Sequence, residues 1–130
     1  MFAVMRGLVM RTGRLCIVGF TAAIAAASAE ANDGAALYLK NCQTRHLIDK
    51  AGAVRQGPPL FGILGRTAGT VEGFKYSVGL KNAGWAWTPE KLDAWIAFPK
   101  KMIRDTTMVY RQNDPDIRKA IVAYLAEQKD

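Results

Sequence analysis

Between Cys42 and Thr88 lie 45 residues with eight glycines, two prolines and no sustained helical or strand period. A compact domain rarely carries so long an irregular stretch unless that stretch has a job of its own. A flexible linker would be polar throughout, whereas this one holds Phe61, Phe74, Tyr76, Trp85 and Trp87. Those aromatics need an apolar surface to pack on. The helices that flank the stretch are too few and too short to supply it, so the chain reads as built around a large apolar body that it does not itself encode.

Helical signals stand on either side. Asn32 or Asp33 is placed to cap a first helix through Ala35, Ala36, Leu37 and Leu39, with Gly34, Tyr38 and Cys42 at i, i+4 and i+8 on one face. A second helix is expected from an N-cap at Thr88, with Pro89 at its first position and Glu90 favourable to its dipole, up to a break at Pro99; its buried face is Leu92, Trp95 and Ile96. Asp114-Pro115-Asp116 repeats the device for a last helix, with Ile117, Ile121, Tyr124 and Leu125 inward. No run alternates long enough for a strand, and the expected class is all-α.

Residues 1–29 read as a signal peptide and 30–130 as the mature domain. Arg6, Arg11 and Arg14 form a basic leader, Leu15 to Ala27 an apolar run, and Ala27-Ser28-Ala29 a cleavage site, with Ala29-Glu30-Ala31 as an alternative. The apolar run has 13 residues, against the 20 or so that a spanning helix needs. Export with cleavage is therefore favoured over a membrane anchor, to the periplasm if the source is bacterial. Cys16 falls in the leader, and the residues before it do not form a lipoprotein box. The mature domain keeps one cysteine, Cys42, so it cannot form an internal disulfide. Three of the 18 basic residues belong to the leader, leaving 15 against 11 acidic ones. That surplus suits an acidic protein partner and is too small to argue for nucleic acid.

Residues 42–46 read Cys-Gln-Thr-Arg-His. Cys-x-x-Cys-His is the attachment signal of c-type haem, and this segment keeps all of it except the second cysteine, which is Arg45. In order along the chain follow "GPPLFGILGRTAG", "GFKYS", "LKNAGWAWTPEKLDAWIAFPKK", Thr106, Met108 and "IVAYL". With these segments in this order, the chain resembles the class I cytochrome c family over its whole mature length.

The resemblance implies a small all-α fold in which the irregular stretch wraps a haem and the first and last helices cross near Gly34 and Tyr124. It implies that Cys42 forms a thioether, that His46 is the proximal iron ligand and that Met108 is the second axial ligand. It also implies that the Pro58 carbonyl accepts from the other ring nitrogen of His46, and that Tyr76 and Trp87, with Arg66 nearby, face a propionate. The family's ligand loop usually reads Ile-Pro-Gly-Thr-x-Met; here it reads Ile103-Arg104-Asp105-Thr106-Thr107-Met108, without the residues that stiffen and turn it. Imidazole plus thioether ligation favours electron transfer over oxygen chemistry.

The implied function is that of an exported single-haem electron carrier, not an enzyme, whose Lys40, Lys81, Lys100 and Lys101 dock on acidic faces of redox partners. No second His, Ser-His-Asp order, paired-carboxylate motif or phosphate loop points to catalysis. Arg45 keeps two alternatives open: a loosely held or five-coordinate haem that binds a small ligand, and a degenerate relative without haem. Arg45 cannot form a thioether, and its stem must carry the guanidinium to water or to a carboxylate.

Overall fold

The computed structural model describes residues 33–130. The expected leader, its cleavage site, Cys16 and Asn32 lie outside the described residues. Among the described residues five helices follow one another: α1 (Gly34–Asn41), α2 (Val78–Lys81), α3 (Pro89–Ala97), α4 (Pro99–Met102) and α5 (Pro115–Glu127). No strand occurs among the described residues, and the class is all-α.

The caps follow from the sequence. Asp33 accepts from the Ala35 amide at the head of α1, Thr88 from Lys91 at α3, and Asp114 from Asp116 and Ile117 at α5. Each satisfies amides that have no partner within the first turn. The inward face of α3 is Leu92, Trp95 and Ile96, as its period requires. On α5 the fully buried set is Ile121, Val122 and Leu125, while Ile117 and Tyr124 are only partly covered. The wider stripe arises because α5 packs on two helices, α1 and α3, rather than one.

The α1–α5 crossing depends on Gly34. A Cβ there would sit 2.7 Å from Tyr124 Cβ and closer still to the Ala120 carbonyl oxygen. Tyr38, one turn on, is fully buried against Tyr124 with ring centroids 5.5 Å apart.

Apart from α2, the irregular stretch proves to be a series of turns. Six of its eight glycines have positive φ, a conformation that costs glycine little and other residues more, so the composition reflects turn chemistry rather than a linker. Gly69 shows the constraint most sharply: φ is +74° and a Cβ would lie 2.5 Å from the Leu80 carbonyl oxygen. The stretch doubles back on itself through Gly65 N–H to Trp87 O, Trp87 N–H to Arg66 O and Ala68 N–H to Trp85 O, at 2.8–2.9 Å. Gly62 N–H donates to Gln128 O at 2.7 Å, tying the stretch to the end of α5. The aromatics pack partly on one another: Trp85, Trp87 and Trp95 form an edge-to-face chain with centroid spacings of 6.1 and 5.5 Å.

Candidate functional site

The segment after α1 makes one further helical turn. His46 N–H and Arg45 N–H both donate to the Cys42 carbonyl, at 2.9 and 3.0 Å. The turn is then bracketed from outside. Gly57 N–H donates to Arg45 O and Leu60 N–H to Leu47 O, each at 2.8 Å, and the Tyr38 hydroxyl donates to the His46 carbonyl. Residues 45–47 and 57–60 thus lie side by side, which lays the imidazole over Gly57.

His46 Nδ1 is 2.8 Å from the Pro58 carbonyl oxygen. A carbonyl can only accept, so Nδ1 carries the proton and Nε2 presents a lone pair. Burial lowers the imidazole pKa; the Pro58 bond opposes that and the Arg45 charge adds to it. The ring is therefore held neutral, in one tautomer and one orientation, which is the form that binds a metal. Burial also pushes the Cys42 thiol up to about 11.

Cys42, His46 and Met108, widely separated in sequence, line one cavity of about 390 Å³. Sites for cofactor-sized molecules fall in the range of roughly 300–1,000 Å³. Arg66, Tyr76 and Trp87 line the same cavity. Arg66 donates to the carbonyls of Pro59 and Phe61, at 2.7 and 3.3 Å. The Tyr76 oxygen accepts from Val71 N–H at 3.2 Å, leaving its own proton to donate elsewhere. Trp87 is buried on the cavity wall; the buried indole N–H that lacks a partner among the described residues is that of Trp85, which stacks edge-on against it.

Arg45 is exposed at the cavity's edge and forms no ion pair among the described residues. Its guanidinium reaches water. The lysines at 40, 81, 100 and 101 are likewise exposed.

Two residues acquire roles that sequence reasoning did not assign. Trp95, expected only as core, donates its indole N–H to Met108 Sδ at 3.0 Å. Asp105, expected only as the loss of a loop glycine, accepts from Gly79 N–H at 2.9 Å. Met108 is half-buried, with its amide donating to Thr106 Oγ1 at 3.2 Å. Downstream of it, Gln112 N–H donates to Ile96 O at 2.9 Å, and Arg118 grips the carbonyls of Gln112 and Asn113 while pairing with Asp93. The loop bearing Met108 is thereby fastened to α3 and α5.

Among the described residues no three His, Cys, Asp or Glu side chains converge as a metal-binding group. A bare metal ion finds no cage here. The donor set is one imidazole, one thiol and one thioether on the walls of an apolar cavity, which fits an iron carried in by an apolar macrocycle.

No family model matches the chain. Curated relatives do. A cytochrome c 2.1 of Caenorhabditis elegans is 44% identical over 77 residues, spanning 59% of this chain and 68% of the relative. A cytochrome c of Trypanosoma brucei brucei is 42% identical over 82 residues, or 62% of this chain and 88% of the relative. A cytochrome c of Theileria annulata is 38% identical over 96 residues, or 72% and 82%. With likeness at that level over most of the relatives' length, on a helical fold whose cavity gathers an imidazole and two sulfurs, the chain belongs to the cytochrome c family.

Proposed function

We propose that the protein is an exported single-haem electron carrier of the class I type, with haem c bound through one thioether. The observation that carries this reading is the shared cavity. His46 Nε2 is free and its ring fixed, and the Cys42 thiol and the Met108 sulfur line the same space as the buried Trp87. The residues present fit the group.

In this reading Cys42 would hold the haem covalently, its S–H being the group that could add to a vinyl side chain with nothing released. His46 Nε2 and Met108 Sδ would be the two side-chain donors that hold the iron. When bound, the haem iron supplies the one-electron couple. The protein's part is to keep that couple six-coordinate and dry. Pro58 holds the imidazole in register, and Trp95 N–H holds the thioether at the cavity wall. Trp87 and Tyr76 have N–H and O–H protons to offer a propionate. Arg45 takes the place of a second thioether, and its exposure keeps the charge out of the apolar interior.

The leader sequence supports export. No helix among the described residues is long and apolar enough to cross a membrane. The exposed lysines support docking on acidic partners, a contact that weakens as salt rises.

The test is haem staining after denaturing electrophoresis of protein matured in a haem-attaching host. Wild type and Arg45→Cys should both stain and Cys42→Ala should not. An unstained wild type would refute covalent attachment. Carbon monoxide bound at once by the reduced protein would refute six-coordination and favour the open-iron alternative.

A further inference from the structure

The loop that bears Met108 lacks the proline and glycine that usually stiffen it, yet its upstream half is not loose. Ile103 and Thr106 are both buried, and Thr106 N–H donates to the Ile103 carbonyl at 3.3 Å, so Arg104 and Asp105 form the exposed tip of a tight turn. From that tip the Asp105 carboxylate reaches across to the Gly79 amide, 26 residues away in sequence.

The receiving side is shaped for the contact. Ser77 caps α2 by accepting from Leu80 N–H, which leaves the Gly79 amide for another acceptor. A Cβ on residue 79 would lie 2.5 Å from Asp105 Oδ1 and 3.0 Å from Ile103 Cγ2. Only glycine admits the carboxylate this closely. Two positions far apart in sequence, an acid in one loop and a glycine in the other, are thus matched to each other. The walls they join both face the cavity: Ser77 and Leu80 on one side, Thr106 and Met108 on the other.

We infer that Asp105 is a positioning residue for Met108: its carboxylate tethers the upstream arm of the ligand loop to the Gly79 amide and replaces, by a long-range bond, the stiffness the local sequence has lost. The inference rests on Met108 being an axial ligand. Downstream of Met108 the loop is fastened by Gln112 and Arg118. Asp105 completes the grip, so that Met108 is held from both sides. The Gly79 N–H also holds the Asp105 carboxyl below its usual range.

The experiment uses the haem-loaded chain and its Asp105→Ala, Asp105→Asn and Gly79→Ala variants. Imidazole binding to the ferric protein requires Met108 to leave, so its apparent affinity reads the fraction of open loop. Losing one charge-assisted hydrogen bond should raise that affinity about tenfold in Asp105→Ala. Gly79→Ala, which keeps the charge but blocks the approach, should match it, and Asp105→Asn, which retains an acceptor oxygen, should fall between. Amide hydrogen exchange at Gly79 should quicken in Asp105→Ala.

With the charge-transfer band of methionine-ligated ferric haem present in the wild type, an imidazole affinity unchanged in Asp105→Ala overturns the tether. An effect in Asp105→Ala without one in Gly79→Ala assigns the change to charge alone and also overturns it. A wild type without that band overturns Met108 ligation, and the tether's role with it.

Discussion

Gly57→Ala isolates the packing under the imidazole. The glycine is buried and its φ is not in the left-handed region, so alanine meets no backbone penalty there. The cost is steric. A Cβ at residue 57 would lie 2.5 Å from His46 Nδ1 and 2.8 Å from Nε2, where carbon contacts settle at about 3.5–4.0 Å. The ring must retreat by roughly 1 Å, which takes Nδ1–H beyond hydrogen-bond range of the Pro58 oxygen, now 2.8 Å away. Overpacking of this kind costs about 1–3 kcal/mol and the lost hydrogen bond about 0.5–1.5. Reduced freedom of the unfolded chain returns about 0.4–1. The net loss, about 2 kcal/mol at the middle of these ranges, is large against the typical stability of a small domain. Urea titration of the haem-loaded protein should show the midpoint falling by about 1 M or more. Loss of the oriented ring should also weaken the hold of His46 on iron about 10- to 100-fold, read as loss of the low-spin haem spectrum at a higher pH during acid titration. If Gly57→Ala melted within error of wild type and kept its low-spin spectrum to the same pH, the account of how His46 is positioned would be wrong.

Gly34→Ala should destabilise the α1–α5 crossing by about 1–3 kcal/mol despite alanine's better helix propensity, because the methyl meets the Ala120 carbonyl and Tyr124 Cβ, neither of which can swing aside; chemical denaturation checks this. Trp95→Phe removes the donor to the Met108 sulfur while keeping an aromatic ring. It should lower the reduction potential by a few tens of millivolts, below the roughly 59 mV that marks a tenfold change, since the N–H draws lone-pair density that ferric iron would otherwise receive; voltammetry measures it. The Asp105 carboxyl titrates below its ordinary value, chiefly through Gly79 N–H. Its folded-state pKa is depressed, so its contribution is present above the unfolded carboxylate value of about 3.9 and fades as pH falls through the lower folded value. The charge-transfer band of methionine-ligated ferric haem should therefore weaken at low pH in wild type and change less steeply with pH in Asp105→Ala.

The three longer helices were legible because each carries its own signals: a capping oxygen, proline at the first position in α3 and α5, and an apolar face at helical spacing. The two four-residue helices were not. Pro99 read as a stop, and it is one, since residue Phe98 before it is extended at φ −162° and ψ 89°. It is also a start, because proline suits the first turn of a new helix, and α4 begins there. α2 has a serine cap but no room for a period. In the candidate site, Cys42 and His46 were singled out by local spacing and Met108 by its place in the family pattern, and all three line one cavity. The bonds that orient them were harder. Pro58 was reachable only through the resemblance, and Trp95 to Met108 and Asp105 to Gly79 join side chains and amides 13 and 26 residues apart. No local pattern encodes such pairings. Substituting Asp105 for a loop glycine looked like a loss because its compensation lies in another part of the chain.

The pairing of α1 with α5 has a consequence for biogenesis. The first helix has little to pack on until the last has been synthesised, and non-local contacts of this kind are slow to form. A growing or translocating chain would therefore present residues 42–46 as an open thread. Were a cofactor joined to Cys42 as proposed, the attaching machinery would meet a pliable substrate, and the finished tertiary structure would close around the product afterwards.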